Sequence, residues 1–132
     1  MSAVPGFMRR PTALAFAALL TLTILSGCRR EEAPLPPLAA DQIAAEFGKA
    51  FGHAKQSVKD VSDRVLKGLA DKDYPAAFAA VQELSIQLGD APRAQQTLAA
   101  RAMITINGLL QTAQSQGDEK ATAALKQYQG SK

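Results

Sequence analysis

The sequence predicts an all-α body, built as two stacked helical hairpins or a small four-helix bundle, behind an N-terminal apolar segment and a Pro-rich tether. Two observations carry that fold class. From Ile43 to Leu69 apolar residues recur about every 3.7 positions, the period of one helix face, and no segment shows the period-two alternation of β-branched residues that a half-buried strand requires. A third, the length of 132 residues, limits the body to one small domain.

The chain opens with Met8-Arg9-Arg10, continues as an uncharged apolar stretch from Pro11 to Leu25, and closes that stretch with Ser26-Gly27-Cys28. This is the layout of a secretory signal: a basic start, an apolar middle and small residues where a peptidase needs an unhindered backbone. About 15 residues at 1.5 Å each give roughly 22 Å of helix, short of the roughly 30 Å hydrocarbon core, so a permanent span is disfavoured. Residues 1–27 are expected to be removed. Fifteen Lys and Arg against twelve Asp and Glu give +3 for the whole chain; without Arg9 and Arg10, thirteen against twelve leave +1. With charge so nearly balanced and no basic run beyond Arg29-Arg30, the electrostatic footprint of a nucleic-acid binder is missing.

The four residues Leu25-Ser26-Gly27-Cys28 resemble a lipobox, the processing signature of bacterial lipoproteins, with Leu three positions before Cys and small residues between them. The resemblance implies that signal peptidase II recognises Leu25, Ser26 and Gly27, that the Cys28 sulfur receives a diacylglyceryl group, and that the Gly27–Cys28 bond is cleaved. Two or more acyl chains, at about 0.8 kcal/mol per buried methylene, anchor a protein stably where one chain does not. In bacteria with two membranes, Asp directly after the lipidated Cys favours the inner membrane in this family. Arg29 stands there, which implies delivery to the periplasmic face of the outer membrane if the organism is diderm. The implied partner is thus the membrane, reached through Cys28.

Residues 28–40 follow as a tether. Three Pro in four positions, Pro34, Pro36 and Pro37, remove backbone donors and keep the preceding residues extended. Beyond it, residues 41–129 form the predicted helical domain and 130–132 a frayed end. Asp41 is the expected N-cap of one long helix through Ile43, Phe47, Phe51, Ala54, Val58, Val61, Val65 and Leu69, all within about 40° of one line at 100° per residue. Gly48 and Gly52 lie on its exposed side, each weakening it by about 1 kcal/mol relative to Ala. After the break at Asp71-Lys72-Asp73, a second helix carries Tyr74, Ala77, Phe78, Val81, Leu84 and Leu88 and is stopped by Gly89. Its Pro75 falls in the first turn, where the missing N–H is harmless. A third helix opens after Asp90 and Pro92, with Leu98, Ala102, Ile106, Leu109 and Ala113 on one face. Gly117 closes it, and Asp118 caps a short fourth helix through Ala121, Leu125 and Tyr128.

At an offset of 44 residues Leu66, Ala77 and Ala80 match Leu110, Ala121 and Ala124. The stretch from Leu69 to Ala77 resembles the inter-helix turn of tetratricopeptide repeats, and the stretch from Gly117 to Ala121 resembles it again. The period differs from the 34 residues of that family and its Trp and final Pro are not recognisable, so peptide binding is not implied. Ala supplies 21 of the 105 residues after the expected cleavage. Its small area predicts modest stability concentrated around Phe47, Phe51, Phe78 and the Leu residues of the third helix.

For chemistry the sequence offers little. His53 projects about 120° from the apolar line, among Lys49, Gln56 and Asp60, and reads as a solvated surface residue. Asp60 and Asp63 read as a charged helix face and Asp71 and Asp73 as helix-end groups, since the oxygen-rich spacing and turn Gly of a calcium loop are missing. No catalytic residue, metal ligand or cofactor is predicted. The expected function is that of a noncatalytic envelope lipoprotein with a scaffold or protein-interaction domain. The alternative is a small helical ligand carrier or enzyme in the periplasm, which needs converging polar groups in a pocket that about 90 residues with an Ala-rich core are poorly suited to enclose. Ile86 and Ile104 project about 140° and 160° from the apolar faces of their helices. They are the expected surface for a protein partner or self-association.

Overall fold

The computed structural model describes residues 33–131, so the apolar segment, Leu25 to Cys28 and the start of the tether lie outside the described residues. The described chain is an all-α bundle of five helices: α1 Ala40–Phe51, α2 Gln56–Ala70, α3 Tyr74–Gln87, α4 Arg93–Ser115 and α5 Glu119–Gly130. The α2–α3 and α4–α5 pairs are the two expected hairpins. α3 is the central element, packed against α2, α4 and α5, while α1 lies on α2 and α4.

The predicted long first helix is two helices. After Phe51 the Ala54 N–H turns back to the Phe51 carbonyl at 3.0 Å, and Lys55 is extended before α2 begins. A straight helix of about 30 residues would run roughly 45 Å, about twice the length of α3, and its first half would find nothing to bury against. Folding at residues 52–55 lets Ile43, Phe47 and Phe51 join Val61 and Val65 in one core, all at 2% exposure or less. The Phe47 and Phe51 rings meet edge to face with centroids 5.1 Å apart. Gly48 and Gly52, poor helix formers, make the interruption cheap. Three smaller corrections accompany it. Asp41 falls in the first turn while Ala39 occupies the N-cap without a side-chain bond. On α4 the buried set is Ala99, Ala102, Ile106, Leu110 and Ala113, with Leu98 and Leu109 only half-buried. Gly130, expected to fray, still belongs to α5.

The two hairpin turns share one construction. In the first, the Asp73 N–H bonds the Gly68 carbonyl at 2.8 Å and the Lys72 N–H bonds Leu69 at 3.2 Å. In the second, Asp118 bonds Ala113 at 3.0 Å and Gly117 bonds Gln114 at 3.0 Å. These are paired carbonyl-capping bonds around a left-handed residue, here Lys72 (φ 55) and Gly117 (φ 89). An Asp N-cap follows each time: Asp73 accepts from Ala76 N–H at 3.2 Å and Asp118 from Ala121 N–H at 3.0 Å. The turns therefore repeat at 45 residues, one more than the sequence identities indicate, and Lys72 takes at its turn the left-handed conformation that Gly117 adopts more freely.

Helix spacing in the first hairpin is set by small residues. A Cβ on Gly68 would lie 2.7 Å from the Ala77 nitrogen and 2.9 Å from its Cα and Cβ. Gly68→Ala should therefore destabilise by about 1 to 3 kcal/mol by overpacking, although Ala is the better helix former. Gly108→Ala, with nothing within 4 Å of the new methyl, should stabilise by up to about 1 kcal/mol. Urea unfolding of both variants checks the opposite signs. Phe51→Ala, at a site 1% exposed, should lose about 3 to 5 kcal/mol in the same measurement.

Candidate functional site

The tether does not run free up to its predicted end at residue 40. Leu38 is 5% exposed and belongs to the core. Its carbonyl accepts the Thr105 hydroxyl, and one turn earlier on α4 the Arg101 Nε donates to the Pro36 carbonyl at 2.8 Å. Residues 36–38 thus form a strap running alongside α4, held by an apolar anchor and two side-chain donors. The pairing is possible because the Pro residues keep this stretch extended with its carbonyls unused. Sequence reasoning assigned Leu38 to the spacer and gave Arg101 and Thr105 no role. The available signal was Leu38 itself, an apolar residue placed five positions before Ile43 at the head of the Ile43, Phe47, Phe51 series.

Among the described residues, the others singled out by the sequence are not gathered into a site. Cys28, Leu25, Ser26 and Gly27 lie outside the described residues. His53 sits exposed in the turn between α1 and α2, not on a helix face with Lys49, Gln56 and Asp60. Asp60 accepts from Gln56 at 2.6 Å on its own helix, and Asp71 pairs with Lys67 at 2.7 Å. The Lys67 ammonium is held above its ordinary pKa by that hydrogen bond and by the Asp71 charge. Its contribution is complete below the ordinary Lys range and is lost as pH rises through the raised value. Among the described residues no group of three or more His, Cys, Asp or Glu is arranged to hold a metal ion, and no helix is long and apolar enough to cross a membrane.

Ile86 and Ile104 are exposed as predicted, at 80% and 44%. They do not form one patch. Ile86 stands at the C-terminal end of α3, and Ile104 lies eleven residues into α4, roughly 16 Å from its start. In an α3–α4 hairpin that leaves them about 15 Å apart along the axes, separated by the length of three turns.

The concave surfaces are open grooves between helices. That between α2 and α3, about 500 Å³, has Gly68, Ala76, Ala79 and Ala80 in its wall. Its charges engage each other or the backbone: Arg64 pairs with Glu83 at 2.6 Å, Lys67 with Asp71, and Asp73 caps α3. The exposed Arg64–Glu83 pair contributes at most about 1 kcal/mol. That between α1 and α4, about 820 Å³, is lined by Glu46, Ala50, Arg93, Leu98 and Arg101 among others, beside the strap. At its end the Gln95 amide donates to the Ala50 carbonyl at 2.9 Å, tying the end of α1 to the start of α4.

Comparison with protein-family models, with characterised proteins and with solved structures finds no match to this chain.

Leu38→Ala should destabilise the body by about 2 to 3 kcal/mol, as for a buried Leu truncation. Arg101→Ala should cost under about 1 kcal/mol, because its bond to Pro36 is solvent-accessible. Chemical denaturation compares the two, and faster hydrogen exchange at the start of α1 in Leu38→Ala would locate the loss at the strap.

Proposed function

We propose that this chain is a membrane-anchored lipoprotein of the cell envelope, with acyl chains on Cys28 and a noncatalytic helical body that serves as a scaffold or protein-interaction domain. The observation that carries the reading is Leu25-Ser26-Gly27-Cys28 at the end of an uncharged apolar stretch, with the polar run from Arg29 to Glu32 directly after it. The folded body supports it from the other end: the chain is captured at Pro36 and Leu38, eight residues beyond Cys28. A noncatalytic role is favoured by the state of the charged groups, which serve as ion pairs and helix caps along the α2–α3 groove rather than converging on a common point. In a diderm organism Arg29 favours the outer membrane as the destination.

Mass spectrometry of protein extracted from membranes of the producing bacterium tests the reading. The expected species begins at Cys28 and carries diacylglyceryl mass on that residue. Cys28→Ser should leave an unprocessed precursor or release the protein from the membrane fraction. A chain that still begins at Met1 with a free Cys28 thiol overturns the assignment.

A further inference from the structure

The strap and α4 meet in step. Arg101 donates to the Pro36 carbonyl and Thr105 to the Leu38 carbonyl, so two strap residues answer four residues of helix. Four helical residues rise about 6.0 Å and two residues of polyproline II about 6.2 Å, and the two repeats stay in register for as long as the chain remains extended. Residues 33–39 contain no helix or turn, and Ala39, at φ −65 and ψ 144, has the polyproline conformation. Pro36 and Pro37 have no N–H, so the stretch is recognised through its carbonyls, and side chains on α4 supply the donors.

Thr97 is the next donor in that series. Thr97, Arg101 and Thr105 are spaced by four and fall within about 80° on one face of α4. Thr97 is half-buried, and its hydroxyl makes no hydrogen bond among the described residues. It lines the α1–α4 groove of about 820 Å³ together with Ala94, Leu98 and Arg101 from α4 and Ala50 from α1. Leu98 and Ala50 are half-buried apolar residues packed on the core. The groove therefore continues the track of the strap along the same face of α4, and the register of the first two contacts brings Pro34 opposite Thr97. Polyproline II has three residues per turn, which puts Leu35 on the same edge of the strap as Leu38. Leu38 is in the core at 5% exposure, while Leu35 is 41% exposed.

We infer that residues 33–35 close onto α4 as a third rung, with the Thr97 hydroxyl donating to the Pro34 carbonyl and Leu35 seated on Leu98 and Ala50. The strap is then a latch whose seat is the α1–α4 groove, open at its first rung in this structure. The inference uses residues 33–38 with α1 and α4 alone and stands apart from the lipidation of Cys28. Opening begins at Thr97, because Leu38 in the core and the bonds from Arg101 and Thr105 hold the rest of the strap. A ligand entering the groove has to displace Leu35.

The chain contains no Trp, so Leu35→Trp places a single indole at the seat and Ile86→Trp an exposed reference, both in the full chain. The open strap by itself accounts for roughly a factor of two in accessibility, from 41% against 80% exposure. With the latch closed, acrylamide quenching at position 35 should be roughly fourfold or more weaker than at position 86. Thr97→Val keeps the shape of the side chain and removes its donor, and should bring that ratio back to about two, while Thr97→Ser should leave it high. Alkylation of Leu35→Cys against Ile86→Cys, each in a Cys28→Ser chain, should give the same order of protection with a side chain smaller than Leu, so that an indole too large for the seat does not decide the result. Ratios of about two or less by both probes, or ratios that ignore Thr97→Val, overturn the latch. Protection at position 35 that appears only as protein concentration rises also overturns it, and assigns the groove to a second copy of the chain.

Discussion

Gly68 and Ala77 are in near backbone contact, and much of the bundle follows from that closeness. A methyl on Gly68 would meet the Ala77 backbone at 2.7 to 2.9 Å, so α2 and α3 approach too closely at this point to admit a Cβ on Gly68. The turn between them is shaped for the same purpose: Lys72 takes the left-handed conformation so that Asp73 can reach the Gly68 carbonyl and then cap α3. Once α3 is fixed there, its Ala77, Val81 and Leu84 are fully covered, and α4 and α5 close over its remaining sides. Small residues recur where helices meet, with Ala80, Ala99, Ala102, Ala113 and Ala121 all buried. Close approach replaces bulk as the source of contact, and each such seam buries little area.

The apolar bulk that the Ala-rich seams lack is brought in by α1 and the strap. Phe47, Phe51, Ile43 and Leu38 all come from the first stretch of the described chain and are buried at 5% exposure or less. They reach the core because the chain folds back at residues 52–55 and because α4 holds the strap through Arg101 and Thr105. The body is thus completed by the segment that, on the proposed reading, leads to the membrane anchor. Leu38 couples the capture of the strap to the stability of the body.

The same economy governs the charged residues. Asp73 and Asp118 satisfy helix N-termini, Asp71 holds Lys67, and Glu83 holds Arg64 across the first hairpin. Each of these carboxylates is thus engaged in a helix cap or an exposed ion pair. α4 carries no Asp or Glu of its own.

Local signals in the sequence determined the class of fold and most helix starts. Pro75 behind Asp73, and Asp118 behind Gly117, act within one turn of chain, so their effect needs no partner. The apolar series of α1 and α2 likewise identified the residues that enter the core. What the pattern along one axis did not contain was where that axis ends: Ile43 to Leu69 keeps a single helical phase across the fold-back at Gly52. The interruption is decided by which arrangement buries both halves. Leu38 was hidden for a related reason, since Pro neighbours mark the backbone as extended without saying whether its carbonyls face water or a helix. The exposure of Ile86 and Ile104 was legible from helical phase, but their separation was not, because phase fixes direction around an axis and only the hairpin fixes distance along it. Short-range chemistry was written in the residues, while breaks, captures and spacings were settled by competition for one small core.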